Sequence, residues 1–192
     1  MFYLIFAAFL IRLIGLNQSL WLDEATTARV VQQFDYRQIV SVFSPHDFHP
    51  PFYYLFMKFW TGLFGFGEVS LRFPSIIASL VTGWLIYKVV LRSIKSVRSV
   101  KSTAVWAAAF FLFNPLVVYY SQEARMYSFA TLFITIIFYY LSHITDYVLR
   151  IKGTGSRIKS GMTVVLMGNL FIFLSLVTFY GTVFFVIALY LY

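Results

Sequence analysis

Three short clusters could do chemistry in a chain that carries few ionisable side chains. Trp21-Leu22-Asp23-Glu24-Ala25 sets two carboxylates side by side at the start of a predicted helix, 24–34, with Ala28, Val31 and Phe34 along one face. A carboxylate there can take a proton from an attacking hydroxyl. Asp23 could equally serve as an N-cap, worth about 1 kcal/mol, and an acidic first turn also suits the helix dipole. His46-Asp47-Phe48-His49, just before Pro50-Pro51, places two imidazoles and an acid together. Such a group can hold a metal or a phosphate, although a solvated turn would look the same. The third cluster is Tyr119-Tyr120-Ser121-Gln122-Glu123-Ala124-Arg125-Met126-Tyr127-Ser128, where Glu123 and Arg125 read either as site residues or as a surface pair at a membrane boundary. With no cysteine in the chain, disulfides, thiolate metal sites and thiol nucleophiles are excluded.

The elements that must position these residues are membrane helices. Of the 192 residues, 60% are hydrophobic and 11% charged, too little polar surface for a soluble domain, which carries roughly a quarter charged residues. The expected fold is all-α and polytopic, a single transmembrane domain over 1–192. Runs of about 20 apolar residues are needed to cross, and the candidates are 2–16, 71–91, 103–121, 126–147, 162–180 and 182–192. The net charge of +8 is not that of a nucleic-acid binder, because it is concentrated between spans. Arg92, Lys95, Arg98 and Lys101 form one acid-free cluster, and Arg150, Lys152, Arg157 and Lys159 another. Both read as cytoplasmic loops.

A further apolar run, 51–66, decides the sidedness of the whole chain. If it crossed, the acid-rich stretch 17–50 would share a side with the basic loops. If it does not, the acids lie outside and the basic loops inside, as the charge rule requires. The run is short, carries Lys58 in its middle, follows Pro50-Pro51 and is followed by Gly65 and Gly67, which are helix start and stop signals. It is read as a second juxtamembrane helix, lying on the outer surface beside 24–34.

The first run, 2–16, is short for a span, with Arg12 near its outer end where it could snorkel. It lacks the basic start and small-residue cleavage site of a signal peptide, so a retained anchor is expected. Asn17-Gln18-Ser19 matches a glycosylation acceptor, but abuts a span and reads as coincidence. The chain stops at Tyr192 inside an apolar run, so a longer protein is expected, with its C-terminal part beyond this sequence.

Trp21-Leu22-Asp23-Glu24-Ala25, His49-Pro50-Pro51-Phe52-Tyr53-Tyr54, Leu71-Arg72-Phe73-Pro74-Ser75, and Asn114-Pro115 followed by Tyr120-Ser121-Gln122-Glu123-Ala124-Arg125-Met126-Tyr127 together resemble the N-terminal part of the GT-C fold membrane glycosyltransferases. The nearer resemblance is to the branch holding protein O-mannosyltransferases and lipid A aminoarabinose transferases, the glycosyltransferase family 39-like enzymes. Order and spacing agree from about residue 1 to 180. The resemblance implies a GT-C-like bundle with two juxtamembrane helices in the first external loop. It also implies a catalytic acid at Asp23, and inverting transfer of a hexose or pentose from a polyprenyl-phosphate carrier to a protein, lipid or glycan acceptor. On that pattern Asp23 is the general base and Glu24 orients it. Arg125, Glu123, His49 and Tyr127 bind substrate or phosphate, and His49 is the residue a divalent metal would use. No other cofactor is implied. Relatives carry a His-Tyr pair where this chain has Phe179-Tyr180, so a contact from that position is missing.

The expected location is a plasma, inner or endoplasmic reticulum membrane, with the site on the outer or lumenal face. Two other readings fit parts of the same pattern. One is a non-catalytic subunit of the same fold that binds lipid carriers. The other is a transporter, which would place acids inside spans; only Asp146 comes near one, beside Arg150 at its basic end.

Overall fold

The computed structural model describes residues 1–93, 99–150 and 156–191. Among them every regular element is a helix. Lys95, Arg98 and Lys152 of the basic loops lie outside the described residues, as do the side chains of Asp146, Arg150, Arg157 and Lys159. The helices are α1 (Phe2–Arg12), α2 (Leu22–Gln33), α3 (Tyr36–Gln38), α4 (Phe52–Phe64), α5 (Glu68–Ser93), α6 (Val100–Leu112), α7 (Pro115–Ser121), α8 (Tyr127–Arg150), α9 (Ser156–Leu176) and α10 (Thr182–Leu191). A π-helical turn, Ile39–Phe43, and a 3-10 turn, Ser44–His46, carry α3 on toward α4.

The long pair α5 and α8 forms the centre, flanked by α6 on α5 and α9 on α8. Helix α1 leans on α5, α6 and α7, while α2 packs on α4 and α4 on α5. One core cluster joins α2, α4, α5 and α8 through Val30, Val31, Tyr53, Met57, Leu71 and Phe129. Phe110, Phe173 and Phe184 point outward, a surface that suits lipid better than water. Helix α5 is long and apolar enough to cross a membrane, and α6 with α7 passes the same test as a pair. Helix α1, the Tyr127–His143 part of α8 and the Val165–Leu176 part of α9 are apolar but shorter.

Two prolines shape the bundle. The sequence predicts an unbroken span over 103–121, yet α6 and α7 meet at 59°. Pro115 has no N–H to donate and pushes its predecessor out of the helical region. Asn114 is accordingly extended (φ −62, ψ 125), and its side chain caps the new helix by accepting from Leu116 N–H at 2.9 Å. Pro74 sits within α5 without ending it. The carbonyl it orphans, that of Ser70, accepts the Trp60 indole N–H at 2.9 Å instead, which ties α4 to α5.

Arg12 does not snorkel. It is fully buried and turned into the bundle, donating to the Ala8 carbonyl at 3.0 Å and the Ser79 hydroxyl at 3.1 Å. At the far end of α4, Gly65 takes φ +82 and ψ −179 while its N–H closes on the Thr61 carbonyl, a positive-φ extended stop that glycine alone makes cheap.

Candidate active site

Helix α2 begins two residues ahead of where the sequence suggests, and this separates the two acids. Trp21, extended at φ −83 and ψ 172, occupies the cap position, so Asp23 falls in the first turn and is not the N-cap. Glu24 reaches back to accept the Trp21 N–H at 3.4 Å. Its other contacts are stronger: Arg72 Nε at 2.8 Å, Arg72 Nη2 at 2.5 Å and the Ala124 N–H at 2.8 Å. Arg72 also donates to the carbonyls of Leu16, Gln18 and Ser19. Both side chains are buried, where an ion pair persists only if its hydrogen bonds are filled. Here they are, and one bidentate pair fastens α2, α5, the turn after α1 and the connection before α8.

Asp23 faces the other way. Its side chain is 41% exposed, while that of Arg125, 3.6 Å away, is 5% exposed. Arg125 also donates to the Asp23 carbonyl at 3.3 Å, and lies 6.0 Å from the centre of the Tyr127 ring. Its Nε has no partner, so the guanidinium keeps a free donor.

His49 closes the other side. Its Nδ1 stands 3.6 Å from Asp47 Oδ2, an oxygen that accepts the Tyr54 hydroxyl at 2.9 Å. Burial, reinforced by the charge of Arg125 and opposed by Asp47, lowers the His49 pKa below its usual value, so the imidazole is neutral at neutral pH. Phe179 stacks on this ring at 6.1 Å and 18°, and Tyr127 meets Phe179 edge-on at 6.0 Å. The Phe52 N–H, an orphan of the α4 first turn, donates to Val177 at 3.3 Å, holding the α9–α10 connection over the site. The position that departs from the family pattern is therefore in contact with His49, as an apolar wall.

Glu123 is 4% exposed, and the Tyr119 hydroxyl is the hydrogen-bonding group its carboxylate faces. It lines a cleft of about 330 Å³ with Trp21, Glu24, Arg72, Tyr119 and Gln122. Burial raises its pKa, and the charges of Glu24 and Asp23 add to the rise while Tyr119 and Arg125 temper it.

The structure thus brings together Asp23, Arg125, Tyr127 and His49, with Glu123 close enough to feel Asp23 and Arg125. It does not bring in His46, whose ring bonds the Val42 carbonyl in its own turn. Among the described residues no group of three His, Asp or Glu side chains converges as a metal site, and Asp47 is already engaged by Tyr54. The donor set beside His49 does not fit a resident divalent ion. Arg72 was overlooked as a functional residue by sequence reasoning, although it stands in one of the recognised motifs. Its signal was a cation placed where an apolar span begins, which requires a buried partner.

The bundle is all-helical among the described residues, with an outward apolar surface and an ionisable site between its helix ends, and the GT-C glycosyltransferase class follows from the family profile that the chain matches. The chain belongs to the dolichyl-phosphate-mannose-protein mannosyltransferase family, whose profile matches residues 48–191. The match takes in His49, Glu123, Arg125 and Tyr127 and begins after Asp23 and Glu24. No curated protein and no solved structure matches the chain.

Proposed function

We propose that the protein transfers a sugar, with inversion, from a polyprenyl-phosphate carrier to a protein, lipid or glycan hydroxyl at the outer or lumenal membrane face. The observation that carries this reading is the half-exposed Asp23 carboxylate beside the buried Arg125 guanidinium, 3.6 Å apart. Asp23 takes the acceptor's proton as its oxygen bonds to the anomeric carbon. The bond from that carbon to the phosphate oxygen breaks, and its electron pair leaves with the phosphate. Because the leaving group departs as an anion it needs a cation rather than an acid, and a guanidinium with a free donor suits phosphate.

Tyr127 and neutral His49 line the space where donor oxygens would lie, each able to give one hydrogen bond. Glu24 is a positioning residue, since its acceptor capacity is spent on Arg72 and the backbone. The carrier's lipid tail would lie along the apolar helices. In this reading the chain is multi-pass, with α2 and α4 on the outer surface.

The test is Asp23→Asn in the full-length protein, with transfer measured from dolichyl-phosphate-mannose. Loss of a general base costs about 10²–10⁴-fold in rate, with carrier binding retained. Transfer at the wild-type rate would remove Asp23 as the base. Asp23 is not part of the buried pair, so the variant should fold.

A further inference from the structure

We infer that the end of the bundle away from Asp23 carries a binding site for the headgroup of an anionic phospholipid. Lys88 and Arg92 of α5 and His143 of α8 form it, with Trp84 and Tyr139 as aromatic walls. The distribution of charge points there first. The net charge is +8, and none of it belongs to the Asp23 end. Arg12, Arg29, Arg37, Lys58, Arg72 and Arg125 are matched in number by Asp23, Glu24, Asp35, Asp47, Glu68 and Glu123. The other nine of the fifteen cations lie at the far ends of α5 and α8 and in the stretches that follow, against one acid, Asp146.

Most of those cations stand in loops, where positive charge sets topology. Lys88 and Arg92 differ in belonging to a span. Helix α5 begins at Glu68, and at about 1.5 Å per residue Lys88 lies about 30 Å further along, the thickness of the hydrocarbon core. Both cations therefore reach the headgroup level of the leaflet opposite Glu68. Trp84, Lys88 and Arg92 recur every four residues, which makes one stripe of the helix. Each cation rests on a ring. Lys88 Nζ is 5.3 Å from the centre of the Trp84 ring, and Arg92 Cζ is 5.7 Å from that of Tyr139.

Both cations are half-buried, and among the described residues neither is paired with a carboxylate. Arg92 contacts His143 Nε2. A guanidinium only donates, so the imidazole accepts in its neutral form and offsets none of the charge. Like charges one turn apart repel, and an anion placed between them turns that repulsion into attraction. The anion found at this depth is a lipid phosphate. Its acyl chains would run along the apolar stripe one turn deeper, where Trp84 is 41% exposed, as interfacial aromatics are. A zwitterionic lipid brings a cation of its own, which Lys88 and Arg92 repel, so the site selects a lipid of net negative charge. The inference rests on the proposed function only in taking α5 as a span, and sugar transfer does not enter it.

The experiment is native mass spectrometry of the full-length protein in detergent, titrated with phosphatidylglycerol or with phosphatidylcholine of the same acyl chains. Phosphatidylglycerol should bind the tighter by about tenfold or more, since each cation at the headgroup level contributes about fivefold. Lys88→Gln and Arg92→Gln should each reduce that preference about fivefold, and Arg92→Lys should keep most of it. Lys88→Gln carries the test should Arg92→Gln fail to fold. Lys101→Gln, at the exposed start of α6, should leave the preference unchanged.

The two lipids binding alike, or a preference indifferent to both α5 variants, would overturn the site. So would a loss in Lys101→Gln as large as that in Arg92→Gln, which would assign the preference to diffuse attraction by the basic loops. Displacement of phosphatidylglycerol by soluble glycerol phosphate would overturn the lipid as the source of the anion. Asp23→Asn should keep the wild-type preference, so loss of transfer and loss of lipid binding are read apart. Binding in detergent is also indifferent to which side of the membrane faces out. A preference that persists when thiol labelling reverses the sidedness corrects the topology and leaves the site standing.

Discussion

Asp23 and Glu24 are neighbours of nearly the same chemistry, and hydrogen-bond accounting sets them apart. Glu24 accepts from a guanidinium and two backbone N–H groups, so it holds the fold, whereas Asp23 keeps an exposed face beside a cation. Glu123 is the opposite case, a buried acid with Tyr119 as its hydrogen-bonding neighbour, and its effect on stability has a definite sign. Its pKa is raised above the ordinary 4.5 by burial, so the folded state holds the proton more tightly than the unfolded chain. Stability contributed at low pH is therefore lost as pH rises from about 4.5 through the raised value. His49, lowered from 6.5, works in the other direction and costs stability as pH falls below that value. Glu123→Gln removes the first effect and leaves the second. Thermal midpoints in detergent at about pH 5 and about pH 8 should show the variant more stable than wild type at the higher pH, with the gap closing at the lower. A gap of the same size at both pH values would mean that Glu123 is not a buried acid with a raised pKa.

Between elements, α5 and α6 approach closely at Gly83, where a Cβ would overlap the Leu112 side chain. Leu112 is fully buried, so it has no free rotamer to retreat into. Gly83→Ala should cost about 1–3 kcal/mol, the usual penalty of overpacking. Leu112→Ala opens a cavity by itself, and the two changes together should cost less than their sum. Additive losses by thermal unfolding would show that the two helices do not meet there. This contact could not be read from the sequence, because a glycine in an apolar run looks like any small residue until its neighbour is known. The bend at Asn114 was half legible: Asn-Pro is a cap followed by a first-turn proline, but apolar residues on both sides hid the break. Arg72 was harder still, since its partner Glu24 is 48 residues away and only folding joins them. What was legible had local causes, such as the Gly65 stop after α4 or the acidic pair opening α2.

For the whole molecule, charge distribution makes one demand that local structure does not. Four acids, Asp23, Glu24, Asp35 and Asp47, lie before α5 and a fifth, Glu68, opens it, while Arg92, Lys95, Arg98 and Lys101 cluster at its far end and Arg150, Lys152, Arg157 and Lys159 at the far end of α8. If α4 lies on the membrane surface, α5 carries the chain from the acidic side to the basic side. The loop holding Phe48 and the start of α6 holding Lys101 are then on opposite faces. If α4 crosses, they share a face and the positive-inside rule is broken. The packing favours the first arrangement: α2 rests on α4, Lys58 in the middle of α4 donates to the Val31 carbonyl at the end of α2 at 2.7 Å, and the α4 start bonds the α9–α10 connection.

The absence of cysteine makes the question direct to test, since each single-cysteine variant carries one thiol. Phe48, 88% exposed, tolerates Phe48→Cys, and Lys101 is exposed as well. A membrane-impermeant maleimide added to intact cells should label Phe48→Cys and spare Lys101→Cys until the membrane is opened. Labelling of both thiols from one side would make α4 a span, and would place the basic loop on the same face as Asp23, where a phosphate-bearing substrate would meet a second set of cations.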